Sequence, residues 1–537
     1  KERVAWHGST AEGNPSGGNK FRGLYNIVLK SIGAARKRDP AIRLDGAIEY
    51  SEPMEEPGYY FMDSPGNDLE SIAGQVASGC NMIFFVTGNG SVTNFPFVPT
   101  IKIVTTTRRY ELLARDMDVN AGAYQDGTPM EELGKRLVDL TLDVASGARS
   151  RGEEAGHSQV SLWRDWRQVN GTELGGLLEA AAPGGVGKQI QTADSAADVR
   201  FDAIRVHSGL ATDQVGLILP TSLCSGQVAR MAAARLNQIG LGRDKGISRF
   251  VALPHTEGCG VSGGFAEQLF IRTMLGYLTH PLVRCAVLLE HGCEKTHNDY
   301  MRNQLAERGL QADDFGWASV QLDGGIDKAG EKVVDWFEHR LAAIEPASPE
   351  FAGLQALRVG LLASGPLSKD AAVALARLTR WLEGAGATVV VPEGGALLGS
   401  TTYKDAVFAG QTPAATLAHG QAVSAPGCYV LETPTEHWTE IVTGLGATGV
   451  EMILAHTGDH PVQGHPLVPV LQVSAESAVQ ARYGEDLDLA LAGPADSCVN
   501  ELLDLLVEVA SRRQQPVAVA QHNTDFQFTR GLLGVSM

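Results

Sequence analysis

One pattern occurs three times between residues 217 and 294: a short apolar run ends in a small polar loop that contains a cysteine. The three cysteines are Cys224, Cys259 and Cys293. Short apolar runs that alternate with helix-like segments are typical of buried parallel strands joined by crossover helices. In open α/β folds the loops after the carboxyl ends of such strands lie at one edge, where ligands bind. The pattern therefore predicts that three thiols distant in sequence converge on one site.

Length and composition restrict the remaining possibilities. A chain of 537 residues is too long for one hydrophobic core, so several domains are expected. The formal net charge of −18 disfavours a nucleic-acid partner, because such partners require a basic surface. No apolar run reaches the roughly 18 residues of a membrane helix, and no secretory signal opens the chain. With seven cysteines, an odd and sparse set, we predict a cytoplasmic protein with free thiols and no membrane partner.

Two stretches that lie 370 positions apart share the same succession of strands and turns. Met82 and Thr87 in the first stretch correspond to Met452 and Thr457 in the second. A constant offset over this length indicates an internal duplication and not chance turn chemistry. The second copy has no evident counterpart of the polar loop at residues 14–20, so we interpret it as a scaffold whose own site has decayed.

These patterns together predict an α/β protein of several domains, with mainly parallel sheets and flanking helices. The first copy is placed at residues 1–169, and its start is expected to be missing because Lys1 is not an initiator methionine. An Ala- and Gly-rich linker follows at residues 170–198. The three-cysteine domain is placed at 199–345 and the second copy at 350–537.

The three repeated cysteines are suited to binding a metal. Each follows a strand-like run and precedes a helix-like segment, and the amide dipoles at a helix amino end favour the thiolate that binds metals. Three thiolates with an open fourth position suit an iron–sulfur cluster, while one Fe(II) or Zn(II) ion with mixed cysteine and histidine ligands fits equally well. Alternatively, buried cysteines act as small apolar residues, which we expect for Cys80, Cys285, Cys428 and Cys498.

A histidine and a polar loop supply further candidates. His255 stands in the loop of the second cysteine, where a histidine could act as a base or as a ligand. The loop that contains Asn14, Asn19 and Lys20 offers backbone amides, carboxamides and one ammonium group. Such a set suits a polyhydroxy carboxylate, and a simple surface turn is the alternative.

Several motifs resemble those of the altronate and galactarate dehydratase family. Five motifs are similar to its carboxyl-terminal domain, at residues 14–20, 58–65, 74–79, 87–91 and 116–122. The three cysteine loops resemble its central domain. The order of the domains departs from the family, because a carboxyl-terminal-type segment comes first here. Ala121 also stands where a cysteine is expected, which puts a role for its loop in doubt.

The resemblance implies a hydro-lyase that removes water from a sugar acid, an aldonate or aldarate such as altronate or galactarate, and yields a 2-keto-3-deoxy acid. It implies iron, as an iron–sulfur cluster or as Fe2+, or else another divalent metal ion, which would assist the elimination as a Lewis acid. It also implies a small-molecule sugar acid as the partner and an assembly of identical subunits.

On this basis the expected site residues fall into three groups. They are the metal ligands Cys224, Cys259 and Cys293; the catalytic residues His255, as general base, and Lys20; and the substrate-binding residues Asn14, Asn19, Thr87 and Asn89. Two alternatives stay open. A lyase on the same scaffold could expel another group, such as sulfite from sulfolactate, and a non-catalytic subunit would account for the decayed copy.

Overall fold

The computed structural model describes residues 36–163, 182–191, 199–206, 209–259 and 264–530, together with single positions between residues 15 and 33. Asn14, one of the predicted substrate-binding residues, lies outside the described residues. No helix in the described part of the chain combines the length and the apolar character that a bilayer-spanning segment needs.

The first region of the chain builds two small parallel sheets with helices around them. Its elements are β1 (Gly46–Ile48), β2 (Tyr60–Met62), α1 (Asp68–Ala77), β3 (Ile83–Thr87), β4 (Thr100–Val104), α2 (Thr107–Leu112), β5 (Val119–Asn120), α3 (Met130–Ala145) and α4 (Arg151–Glu154). Strands β1 and β2 pair with each other, and β3, β4 and β5 form the second sheet in that order. The partner of β2 was not identified from the sequence, because β1 has only three residues.

The central region is organised around a four-stranded parallel sheet. Its elements are β6 (Arg200–Val206), β7 (Gly209–Ala211), β8 (Val215–Pro220), α5 (Gly226–Ile239), β9 (Arg249–Ala252), α6 (Gly264–Leu278), β10 (Val283–Glu290), α7 (Asn298–Ala306), β11 (Gly316–Ser319), α8 (Val320–Asp323), α9 (Ile326–Ala342) and β12 (Ser348–Gly353). The parallel strands stand in the order β11-β10-β8-β9. Strands β12, β6 and β7 form a separate antiparallel sheet.

The last region holds a sheet of six parallel strands. Its elements are β13 (Arg358–Ser364), α10 (Lys369–Gly384), β14 (Thr388–Pro392), α11 (Ala396–Gly399), α12 (Thr401–Phe408), β15 (Gly427–Leu431), α13 (Trp438–Gly446), β16 (Met452–Thr457), β17 (Val470–Ser474), α14 (Ser477–Tyr483), β18 (Leu489–Ala490), α15 (Ala495–Ala510) and α16 (Val517–Ala520). The strand order is β15-β14-β13-β16-β17-β18. Its central strands are apolar and buried on both faces, as parallel sheets require. The predicted α/β class with mainly parallel sheets is confirmed.

The strand pattern of the first region recurs in the last, because β3, β4, β5 and β16, β17, β18 are each parallel in that order. The two sheets differ at the edge of this pattern. Strand β16 also pairs with β13, whereas β3 has β4 as its one partner among the described strands. In α3, Val138 and Leu142 are 57% and 61% exposed. At the positions of α15 with similar sequence, Leu503 and Val507 are 4% and 8% exposed, because α15 lies in a core shared with α10. The duplication and the domain boundaries stay predictions.

Part of the predicted linker packs on the last region. Gly185 N donates a hydrogen bond to Thr416 O at 2.8 Å, and Lys188 N donates to Cys428 O at 2.6 Å. Lys188 also forms an isolated antiparallel bridge with β15. Residues 182–191 therefore lie against the edge of the six-stranded sheet.

The central sheet lies between the other two regions. Neighbouring residues of β8 point to opposite faces, as they must in a strand. Ile218 packs in a cluster with Val104 of the first region, and Leu217 packs in a second cluster with Leu445 of the last region. Both other regions are thus fixed to the sheet whose carboxyl edge carries the cysteine loops.

Candidate functional site

The three cysteine loops lie at one edge of the central sheet. Strand β10 pairs with β8 and β8 pairs with β9, all in parallel, so their carboxyl ends reach the same edge. Cys224 follows β8, Cys259 follows β9 and Cys293 follows β10. The structure therefore brings the three loops together, while their role as metal ligands stays a prediction.

The sulfur atoms of the first two loops are close to each other. Cys224 Sγ lies 4.0 Å from Cys259 Sγ, and Cys224 is 5% exposed. The hydrogen bond with Cys259, burial, and the charges of Cys259 and Cys293 raise the pKa of the Cys224 thiol well above its usual value. Thiolates at this spacing repel each other, so a cation bound between them would stabilise both.

His291 connects the third cysteine to the first region. Its ring is fully buried, and Val92 N donates a hydrogen bond to its Nε2 at 3.3 Å. Its Nδ1 lies 3.3 Å from Cys293 Sγ. Because Nε2 accepts, Nδ1 carries the proton of the neutral ring and donates it to the sulfur. This hydrogen bond stabilises the Cys293 thiolate.

Glu294 joins the first cysteine loop to the third. Its Oε1 accepts hydrogen bonds from Thr221 Oγ1 at 2.9 Å, Ser222 Oγ at 3.1 Å and His291 N at 2.8 Å. Its Oε2 accepts from Gly292 N at 2.5 Å. Burial by itself would raise the pKa of the Glu294 carboxyl, but the neighbouring His291 and these hydrogen bonds lower it below its usual value. The buried carboxylate therefore holds the two loops at a fixed spacing.

The second cysteine loop is attached to the other two through Gly258. This residue has a φ of +101°, which favours glycine, and a Cβ at this position would clash with Thr221 O. Thr296 Oγ1 lies 2.7 Å from Thr221 O and 3.2 Å from Gly258 O, so one hydroxyl contacts both loops. The close approach of the three loops therefore depends on glycine at position 258.

The first region places the start of α1 against the sulfurs. Leu69 packs on Cys224 in a small apolar cluster, and the charge of Asp68 contributes to the raised pKa of that thiol. Asn67 caps α1, because its Oδ1 accepts a hydrogen bond from Leu69 N at 3.1 Å. The site therefore lies between the first region and the central sheet.

One group of potential metal ligands stands out among the described residues. The ligand atoms of His291, Cys293 and Glu294 lie within 4.8 Å of one another. The oxygens of Glu294 already accept four hydrogen bonds, and His291 donates to Cys293, so the sulfur is the best ligand of this group. Cys224 and Cys259 are not members of this group and stand on the two neighbouring loops.

The contacts of His255 are those of a structural residue, and they disfavour its predicted role as the general base. Its Nε2 lies 2.8 Å from Pro220 O, and its Nδ1 accepts a hydrogen bond from Glu257 N at 3.1 Å. The edges of Phe270 and Phe528 pack on the ring. Burial lowers the pKa of His255 to about 4. Both ring nitrogens are engaged with the backbone, so neither is placed to take a proton from a substrate.

The predicted substrate-binding residues of the first region lie together as far as they are described. Asn89 Nδ2 donates a hydrogen bond to Asn19 Oδ1 at 2.8 Å, and Lys20 follows Asn19 in the chain. Thr87 Oγ1 accepts hydrogen bonds from two backbone amides of the turn that follows it. Thr87 therefore shapes the turn that presents Asn89. Its own contact with a substrate stays a prediction.

A polar cleft of about 450 Å³ lies beside the third cysteine loop. The residues that line it include Asn89, Arg109, Glu290, Gly292, Asn298 and Ser319. Its volume is typical of a small-molecule site. The cleft thus connects Asn89 of the first region with Gly292, the neighbour of Cys293.

Comparison with models of known protein families shows which family the chain belongs to. Residues 1–168 and 409–532 match the carboxyl-terminal domain of D-galactarate/altronate dehydratase, and this match covers more than half of the chain. Residues 209–345 match the second domain of D-galactarate dehydratase/altronate hydrolase. The chain belongs to the D-galactarate/altronate dehydratase family. The two stretches that match the same dehydratase domain include both halves of the repeated strand pattern.

Curated proteins of this kind match about a third of the chain. Altronate dehydratase of Escherichia coli (strain K12) is 29% identical over 151 residues, which cover 28% of this chain and 30% of the relative. Galactarate dehydratase (L-threo-forming) of the same organism is 36% identical over 156 residues, 28% of this chain and 29% of the relative. The beta subunit of (2R)-sulfolactate sulfo-lyase of Chromohalobacter salexigens is 32% identical over 155 residues, 29% of this chain and 40% of the relative. The matched part spans less than half of each relative.

Sequence reasoning did not single out three residues of the cleft, namely Arg109, Asn298 and Ser319. Ser319 ends β11, and a small polar residue at the carboxyl end of a parallel strand is a usable signal for a site. Asn298 begins α7 directly after the third cysteine loop. Arg109 lies in α2, and its Nη1 donates to Gln321 O at 2.8 Å across the boundary between regions, which no local pattern indicates.

Proposed function

We propose that this chain is a hydro-lyase that removes water from a sugar acid, an aldonate or aldarate, to give a 2-keto-3-deoxy acid. The observation that carries the proposal is the meeting of the three cysteine loops at the carboxyl edge of the central sheet, beside a polar cleft. The names of two relatives, altronate dehydratase and galactarate dehydratase, support the substrate class.

The spacing of two of the three sulfurs, those of Cys224 and Cys259, fits a single metal ion. Two thiolates on one tetrahedral ion, each about 2.3 Å from the metal, lie about 3.8 Å apart. The distance between Cys224 Sγ and Cys259 Sγ is 4.0 Å. In a four-iron cluster each thiolate binds a different iron, which spaces the sulfurs further apart. We therefore propose one Fe(II), or another divalent ion, held by Cys224, Cys259 and Cys293.

Such an ion, when bound, would supply Lewis-acid stabilisation for the hydroxyl that leaves and for the charge that develops next to the carboxylate. The residues of the cleft would orient the acid. Arg109 lines the cleft with a guanidinium group, which is suited to a carboxylate. Asn89, with Asn19 and Lys20 beside it, would bind hydroxyl groups and add positive charge.

Two groups of the cleft are placed for proton transfer. Glu290 ends β10, and its Oε2 accepts a hydrogen bond from Asn298 N at 2.5 Å, which orients the carboxylate. We assign Glu290 as the base that takes the proton from C2. The electron pair of that bond then forms the double bond between C2 and C3, the C3 hydroxyl leaves as water, and the enol becomes the 2-keto acid.

His297 would hold the departing hydroxyl by a hydrogen bond, and that hydroxyl would take up the proton that Glu290 removed from C2. Its Nδ1 accepts a hydrogen bond from Tyr300 N at 3.4 Å, so the neutral ring carries its proton on Nε2. His297 also lines the cleft. A carboxylate that carries the proton and an N–H group that holds the departing hydroxyl together serve an elimination of water.

Expulsion of sulfite from a sulfonated hydroxy acid is the second candidate function. It is favoured by the 32% identity to the beta subunit of (2R)-sulfolactate sulfo-lyase. The same abstraction of the C2 proton serves both reactions, and only the leaving group on C3 differs. The two candidates are therefore distinguished by the product.

The experiment is an assay of anaerobically purified protein with one equivalent of Fe(II). Galactarate, altronate and sulfolactate are supplied separately, and keto acid and sulfite are both measured. Keto acid from a sugar acid without sulfite from sulfolactate supports the hydro-lyase. The reverse result supports the sulfo-lyase. Metal-loaded protein that is inactive on all three acids contradicts both enzymatic proposals.

A further inference from the structure

Two buried polar atoms of the cleft have no hydrogen-bond partner among the described residues. They are Asn298 Oδ1 and Ser319 Oγ. Asn298 is 7% exposed and Ser319 is 4% exposed, and both residues line the cleft. Most buried polar atoms in folded proteins are hydrogen-bonded, and an unpaired one is unfavourable by about 1–3 kcal/mol. A pair of such atoms on one cleft wall indicates a place for a polar ligand.

The remaining polar atoms of these two residues hold them in place. Asn298 Nδ2 donates a hydrogen bond to Ala318 O at 3.0 Å, which leaves Oδ1 as an acceptor for a hydroxyl group. Ser319 N donates to Asp323 Oδ2 at 2.7 Å at the end of β11. The Ser319 hydroxyl can both donate and accept. This combination suits neighbouring hydroxyl groups better than it suits a carboxylate, which offers only acceptors.

The position of the two residues sets the reach of such a ligand. Ser319 ends β11, while Cys224 follows β8, and β10 lies between these strands. Two strand spacings correspond to about 10 Å. A six-carbon sugar acid in an extended conformation spans about this distance, whereas a three-carbon acid covers about half of it. Only the longer acid can extend from the Cys224 side of the site to Ser319.

We propose that Asn298 and Ser319 bind the hydroxyl groups of the distal half of a sugar acid and thereby select six-carbon acids over three-carbon acids. This inference rests on the proposed function, because it concerns the part of the substrate furthest from the reacting carbons. It assigns chain-length selection to the end of β11 and the start of α7, and it leaves the metal and the proton transfers to other residues.

The test compares Ser319→Ala with the wild-type protein, both loaded with Fe(II), on galactarate and on glycerate. Loss of the hydroxyl is expected to weaken galactarate binding and to lower kcat/KM for galactarate, each about tenfold. The values for glycerate and the metal content are expected to stay unchanged. Ser319→Thr, which retains a hydroxyl, should recover part of the loss. The control is Ser474→Ala, since this buried serine of the last region bonds to Thr457 O at 2.7 Å.

Each outcome has one meaning. An equal loss on both acids would give Ser319 a structural role, and unchanged galactarate binding would remove it from the substrate site. Either result overturns the inference while the proposed function stands. If the wild-type protein neither binds galactarate in calorimetry nor forms keto acid from it, the proposed function fails and the inference fails with it.

Discussion

The carboxylate of Glu257 and the guanidinium of Arg530, which are 273 residues apart, form a buried ion pair. Arg530 Nε lies 2.8 Å and 2.9 Å from the two carboxylate oxygens, and both side chains are 7% exposed. Glu257 stands two positions before Cys259. The end of the last region therefore holds the loop of the second cysteine in place.

Loss of this ion pair is expected to destabilise the protein. Arg530→Met leaves the buried Glu257 carboxylate without this cation, which should lower the free energy of unfolding by about 3–5 kcal/mol. Urea denaturation measures the loss. The double variant Glu257→Gln/Arg530→Met should be more stable than Arg530→Met alone, because the uncompensated charge is removed. A loss below about 1 kcal/mol in Arg530→Met would contradict the assigned contribution of the pair.

The protein is expected to lose stability in mild acid because several of its histidines are buried. Burial lowers the pKa of His255, His280 and His419 to about 4. An unfolded histidine has a pKa of about 6.5. Between these values the unfolded chain binds protons that the folded chain does not bind, so stability falls as pH falls from 6.5 towards 4.

Each of these histidines contributes about 2 kcal/mol to that loss at a pH of about 5. The expected result is a urea midpoint that is clearly lower at pH 5 than at pH 7.5. His419→Gln serves as the matched variant, because it removes one titrating group and should make the difference between the two pH values smaller. Equal urea midpoints at pH 5 and pH 7.5 would show that these histidines have the same pKa in the folded and the unfolded chain.

The two helices of the repeated pattern should respond differently to the same substitution. Val507 of α15 is 8% exposed, so Val507→Gln buries an amide and should lower the free energy of unfolding by about 2–4 kcal/mol. Leu142 of α3 is 61% exposed, and Leu142→Gln should change the free energy of unfolding by at most about 0.5 kcal/mol. Urea denaturation of both variants tests the difference. Comparable losses in the two variants would mean that the α3 face is covered in the folded protein.

The fold class and the meeting of the cysteine loops could be predicted from local patterns. Parallel strands buried on both faces require continuous apolar runs, and β8 and β10 have such runs. Parallel neighbours also end at one edge, so the approach of Cys224, Cys259 and Cys293 followed once the strands were identified. Gly258 was visible in the sequence, but its role required the backbone of Thr221 beside it.

The residues that depend on distant contacts could not be predicted. The local sequence around His255 is that of a catalytic loop, and only the packing of Phe528 from the far end of the chain shows that the ring is enclosed. The cleft depends on β11 lying next to β10, a strand order that the sequence does not specify. Arg109 reaches the cleft from the first region, so it follows from the docking of two regions and not from a motif.

The proposed base can be tested separately from the proposed metal. Glu290→Gln retains an acceptor for Asn298 N but cannot take a proton, so kcat for keto acid formation should fall by about 10²–10⁴-fold. The metal content should not change. Asp299→Asn removes an exposed carboxylate that also lines the cleft and is the matched control, with kcat expected within about threefold of wild type. A Glu290→Gln protein with full activity would exclude Glu290 as the base.

The central claim is that three sulfurs hold one metal ion at the site. The most direct measurement is the metal content of anaerobically purified Cys259→Ser, determined by elemental analysis beside wild type. Cys428→Ser is the control, because Cys428 is fully buried in β15 on the six-stranded sheet of the last region. This metal assignment predicts about one equivalent of metal in wild type and in Cys428→Ser. It also predicts a loss of at least tenfold in metal affinity for Cys259→Ser. Equal metal content and affinity in all three proteins would contradict it.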